Sequence, residues 1–150
     1  MIMRRLIFIF LMTVIAVSCG DDYKSSIPDV RFDFSCSLVQ AEYSKLTTPG
    51  QFIKKTKNVH GIPVGYAGII IGQSVYSDGY TYLAFEAACP VEASRTVSIN
   101  VQNDGLGKAI CPSCGTTYDL NNGGAPTGAG KEYLKRYTAV VSGTTLQVRN

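Results

Sequence analysis

Apolar and polar residues alternate along much of the chain in short stretches. In residues 30–38, Val30, Phe32, Phe34, Cys36 and Leu38 share one parity while Arg31, Asp33, Ser35 and Ser37 share the other. A period of two sends the two sets to opposite faces of a pleated strand, so this segment predicts a half-buried strand with Cys36 turned inward. Residues 64–71, interrupted by Gly65 and Gly68, predict a buried strand. Residues 80–85 predict its hairpin partner across the Ser77-Asp78-Gly79 turn. Val97, Ile99 and Val101 alternate again. Beyond the Asn103-Asp104-Gly105 turn, residues 108–110 and 116–120 predict two strands, and residues 137–141 and 144–148 predict a closing hairpin. The Gly/Pro-rich residues 123–130 predict a loop, and no segment shows a convincing amphipathic helical period. Many short strands at close spacing, separated by turns, predict one all-β domain.

The chain length of 150 residues suits one domain, and 45% hydrophobic against 17% charged residues excludes a disordered chain. Its 15 Gly and 9 Tyr, with no Trp, agree with a turn-rich β protein. The formal charge of +3 owes two units to Arg4 and Arg5, so the remainder is nearly balanced and calls for no nucleic acid.

Those two arginines open a leader. Residues 6–17 are apolar except for Thr13, a run too short for a helix that spans a bilayer with roughly 20 residues. It ends in Ala16-Val17-Ser18-Cys19, which resembles a bacterial lipobox. The resemblance implies cleavage before Cys19, acylation of that residue and attachment to the membrane of the bacterial cell envelope, the outer membrane being the expected site. Residues 1–18 are then a lipoprotein signal peptide, residues 19–28 a lipidated cysteine with a solvated tether, and residues 29–150 the folded domain.

Four cysteines remain. In an oxidising compartment an even number first suggests disulfides. Cys36 continues the inward parity of its strand and reads as a core thiol. Cys89-Pro90 and Cys111-Pro112-Ser113-Cys114-Gly115 instead end strands, where two loops can meet. Cys-Pro-x-Cys-Gly is also half of a zinc-ribbon motif, so three thiols with a fourth group could hold zinc. A thioredoxin-type role is opposed by context, because Gly115-Thr116-Thr117-Tyr118 reads as a strand and not as the helix that activates such thiols. One His, no Gly-x-Ser-x-Gly elbow and no convincing carboxylate pair leave nucleophilic or hydrolytic catalysis without support.

The cysteine loops resemble those of the Rieske iron-sulfur domain, which read Cys-x-His and Cys-x-x-His. The likeness extends to Ala67-Gly68-Ile69-Ile70-Ile71-Gly72 and Leu83-Ala84-Phe85-Glu86-Ala87-Ala88 before the first loop. After the second it continues through Thr117-Tyr118-Asp119, Asn122-Gly123-Gly124, Pro126, Gly128, Leu134, Tyr137 and the final hairpin, covering residues 62–150. It implies a Rieske-like antiparallel β sandwich with a small two-loop cluster lobe, a 2Fe-2S cluster, electron transfer and a redox or surface protein partner. Cys89 and Cys111 match the family's cysteines. Val91 and Cys114 stand at its two histidine positions, so the site is expected to be degenerate. Cys89, Cys111 and Cys114 are the metal candidates, with Cys36, Glu92 and His60 as candidates for a fourth ligand. The alternative is a non-redox binding or structural lipoprotein whose three cysteines form a disulfide or zinc staple, with zinc or no metal in place of the cluster.

Overall fold

The computed structural model describes residues 24–150; the expected leader and Cys19 lie outside the described residues. Among the described residues, ten strands form two antiparallel sheets: β1 (Asp33–Ser37), β2 (Phe52–Lys55), β3 (Ile69–Gly72), β4 (Leu83–Glu86), β5 (Asn100–Val101), β6 (Lys108–Ile110), β7 (Thr117–Asp119), β8 (Ala125–Thr127), β9 (Arg136–Ser142) and β10 (Thr145–Arg149). The larger sheet runs β1-β10-β9-β4-β3-β2 and the smaller β5-β6-β7-β8. The fold is therefore all-β and antiparallel, as the alternating pattern predicts.

Strands β3 and β4 are the shared wall. Ile69, Ile71 and Ala84 enter a core with Phe34, Cys36, Tyr43, Leu46, Leu146 and Val148. Ile70, Phe85 and Ala87 enter a second core, with Cys89, Ile99, Cys111, Tyr118 and Leu120 of the smaller lobe. A strand covered on both faces needs apolar residues at every position, which is why Ile69-Ile70-Ile71 does not alternate. Each of these three isoleucines is fully buried, worth about 1.5–3 kcal/mol apiece.

The structure shortens the strand expected over residues 64–71 to Ile69–Gly72, because Gly65 and Gly68 take φ of +68° and +125° and turn the chain first. A 3₁₀ helix at Ala41–Thr47 buries Tyr43 and Leu46, three residues apart, within a single short element. Strand β2 also escapes the periodic reading: Phe52 is buried, but Lys54 and Lys55 make an edge strand look like a surface loop. Strand β8 falls within the stretch expected to be a loop. At the N-terminal end, Ile27 is buried and Ser25 Oγ and Ser26 N both donate to Glu132 Oε1, at 3.0 and 2.8 Å. The end of the segment read as a solvated tether thus packs against the domain, since one isoleucine gains more by burial than its polar neighbours lose.

Cys36 lies in the first core. Burial pushes its thiol from 9.0 up to about 11; Lys55 opposes the rise and Glu42 adds to it. The unfolded chain loses this proton first, so between pH 9.0 and about 11 the native state binds more protons and stability falls as pH rises. The slope from this thiol approaches about 1.4 kcal/mol per pH unit. Urea unfolding across that range should show a shallower alkaline loss for Cys36→Ala than for the native chain, and equal slopes would refute the assignment.

Candidate functional site

Beyond Glu86 the chain of β4 continues into the first cysteine loop. Ile99 N donates to Ala87 O at 2.8 Å and Ala88 bridges Ser98, so residues 87–99 form a hairpin with the loop at its tip. Glu92 N and Ala93 N donate back to Cys89 O at 3.2 and 2.8 Å, closing the turn. The second loop is the tip of the β6-β7 hairpin, where Cys111 N donates to Thr116 O at 2.9 Å and Gly115 N to Cys111 O at 3.0 Å. Gly115 has φ of +71°, a conformation costly for any side chain, which gives Cys-Pro-x-Cys its terminal glycine. The register pairs Asn100 with Ile110, so the preceding Ile99 and the following Cys111 lie at the same end of the smaller sheet. Both tips therefore meet there.

The meeting point is sulfur. The Sγ atoms of Cys89, Cys111 and Cys114 all lie within 4.8 Å of one another. Cys89 and Cys111 are fully buried, Cys114 is half-buried, and all three are free thiols. Cys89 Sγ stands 3.7 Å from Cys114 Sγ and 3.3 Å from the buried Tyr118 hydroxyl, while Cys114 Sγ stands 3.2 Å from Thr116 Oγ1. Burial pushes the Cys111 thiol up to about 11, although the Cys114 and Ser113 amides favour its thiolate. Burial also opposes ionisation of Cys114, but the Thr116 hydroxyl and amide, with Cys111 and Cys89, outweigh it and hold that thiol below its ordinary value. Burial, then the contact with Cys89, pushes the Tyr118 phenol far up, and either the hydroxyl or the thiol can donate in that contact. Three soft donors at one point suit zinc, Cu(I) or iron-sulfur chemistry.

The remaining candidates lie elsewhere. Cys36 belongs to the other core. His60 is an exposed turn residue whose amide donates to Asn58 Oδ1, and Glu92 does not join the sulfur group. Val91 sits 47% exposed on the first loop with a hydrocarbon side chain.

The sequence reading passed over Glu86 as a supporting residue. Its carboxylate is fully buried and accepts from Tyr66 N at 2.6 Å, Ala67 N at 2.8 Å, Ala88 N at 2.9 Å and the Tyr137 hydroxyl at 2.5 Å. It ties residues 66–67, strand β9 and the base of the first cysteine loop together. A single acid inside Leu-Ala-Phe-Glu-Ala-Ala-Cys was the available signal, because a charge in a buried run requires partners. Arg95 adds a second tie by lying 4.4 Å over the Tyr66 ring. Ser26 Oγ donates to Pro90 O at 3.2 Å, so the N-terminal segment also touches this loop. A groove of about 1540 Å³ between that segment and Tyr76, Asn122 and Tyr133 lies away from the sulfurs.

Fold and site together define an all-β protein with a two-loop, three-thiol lobe. No family model matches the chain, and no curated protein matches it. Among solved structures it is similar to a chain of the complex of reduced oxygenase and oxidized ferredoxin in carbazole 1,9a-dioxygenase, with 17% identity, covering 77% of this chain and 93% of that one, at a TM-score of 0.46. It is also similar to the ferredoxin of carbazole 1,9a-dioxygenase from Nocardioides aromaticivorans IC177, with 18% identity over 80% of this chain and 97% of that one, at a TM-score of 0.44. A proposed NADH-dependent nitrite reductase small subunit from Mycobacterium tuberculosis shares 13% identity over 81% and 97% of the respective chains, at a TM-score of 0.43.

Proposed function

We propose that this chain is an exported, lipid-anchored module of the bacterial envelope, built on a Rieske-like scaffold but acting as a binding or structural protein and not as an electron carrier. The observation that carries this reading is the donor set. A Rieske centre needs two ligands on each of two irons, whereas the described residues bring together three cysteine sulfurs with no His and no fourth Cys, Asp or Glu. At the first histidine position Val91 offers only hydrocarbon. The residues present therefore do not fit the cluster that the family resemblance implies. Iron, sulfide and visible absorption of native material test this directly. The expected result is a colourless protein without stoichiometric sulfide, and two iron with two sulfide per chain would overturn the reading.

The lipobox-like Ala16-Val17-Ser18-Cys19 supports the anchor. Seven residue steps lead from Cys19 to Ser26, a reach of at most about 25 Å. Ser26 is hydrogen-bonded to the first cysteine loop, so an acylated Cys19 would keep the thiol lobe close to the bilayer. Cys19→Ala is expected to move the protein from the membrane to the soluble fraction and to abolish the lipid mass. Unchanged mass and detergent partitioning would refute the anchor.

A further inference from the structure

We propose that Cys89, Cys111 and Cys114 form a mononuclear site for one thiophilic cation of the zinc class, with its fourth coordination position open beside Val91. This rests on the reading of the lobe as an incomplete Rieske centre and deepens it. Spacing is the first argument. Thiolates bound at about 2.3 Å to one tetrahedral zinc stand about 3.8 Å apart. Cys89 and Cys114 stand 3.7 Å apart, and all three sulfurs fall within 4.8 Å. In the two-iron register Cys114 would instead lie across the cluster from Cys89 and Cys111, on the other iron and separated from them by the bridging sulfides. Its sulfur is drawn in beside Cys89, where one ion can reach all three.

The surroundings are the second argument. A metal-thiolate site needs hydrogen-bond donors around its sulfurs to spread the negative charge. Tyr118 offers its hydroxyl to Cys89 at 3.3 Å, Thr116 lies 3.2 Å from Cys114, and the amides of Ser113 and Cys114 face Cys111. Each sulfur thus has a polar partner from a fully buried side chain or from the tight second turn. Exposure is the third argument. Cys89 and Cys111 are sealed, while Cys114 is half-buried and Val91 is 47% exposed, so the free position faces the surface between the loop tips. Three protein ligands with an open fourth position permit water or an external ligand to bind there, unlike a closed four-ligand structural site. Binding releases a proton from each thiol that enters as thiolate and changes no oxidation state.

The test uses the full chain, reduced and kept anaerobic. Co²⁺ should bind at one ion per chain, with sulfur-to-cobalt charge-transfer absorption and tetrahedral visible bands, and Zn²⁺ should bleach both. Alkylation with peptide mapping should show Cys89, Cys111 and Cys114 protected by Zn²⁺ and exposed again by chelator, with Cys36 indifferent to either. Thr116→Val keeps the shape of a buried side chain and should weaken Co²⁺ binding about 10-fold while leaving the number of protected thiols at three. Cys114→Ser should remove the charge-transfer intensity of one thiolate. Protection that ignores Zn²⁺, or a native Cys89–Cys114 disulfide, would overturn the mononuclear site and leave the degenerate-centre reading intact. Uptake of two iron and two sulfide would overturn both.

Discussion

The Val91→His, Cys114→His double variant, reconstituted anaerobically with iron and sulfide, is expected to gain a two-iron cluster that the native chain is expected to bind poorly. Both substitutions fall on loop tips that already lie together, and they supply the neutral imidazoles that the second iron requires. Val91 is 47% exposed, so a ring is admitted there without disturbing the core. Cys114 is half-buried beside Thr116, whose hydroxyl can fix the orientation of a new imidazole. The measurement is iron and sulfide per chain, together with the electron paramagnetic resonance spectrum of the reduced protein. The variant should approach two of each while the native chain stays near zero, and Val91→His alone should remain low. Equal uptake by native and double-variant chains would show that the histidine positions are not what separates this lobe from a Rieske centre.

The second large effect is expected at Glu86. Glu86→Ala leaves three amides and the Tyr137 hydroxyl without their acceptor in a fully buried place. Stranding buried donors that served a charged acceptor costs about 3–5 kcal/mol, a large part of the total stability of an ordinary domain. Glu86→Gln should cost less, because one oxygen remains, yet its amide must still face donors. Urea unfolding gives both values, and a loss below about 1 kcal/mol for Glu86→Ala would refute the clamp. Alkylation of Cys89 should quicken in the same variant, since Ala88 N is one of the four donors and Cys89 follows it directly.

Much of this was legible along the chain. Strand β1 with its inward Phe34 and Cys36 and the β9-β10 hairpin follow from local alternation, because a half-buried strand records its own two faces, and strand β6 follows from the Asn103-Asp104-Gly105 turn before it. The cysteine loops were legible as strand ends by their Pro and Gly. Strand β2 was not, since an edge strand with two lysines differs little from a loop until its partner β3 is known. The 3₁₀ segment at Ala41–Thr47 was missed because seven residues with two buried side chains are too few to establish a period.

By itself the sequence determined the class: short alternating strands and Gly-, Asn- and Asp-bearing turns are local properties that need no partner. It also singled out Cys89, Cys111 and Cys114, because cysteines in loops marked by Pro and Gly do not read as core. Only the tertiary structure decided what those sulfurs face. Cys89 and Cys111 lie 22 positions apart, and their meeting depends on the Asn100–Ile110 register of the smaller sheet. The same holds for Glu86, whose four donors come from residues 66, 67, 88 and 137. A buried charge and a metal-binding group are satisfied by what surrounds them in space, and sequence records only what surrounds them along the chain.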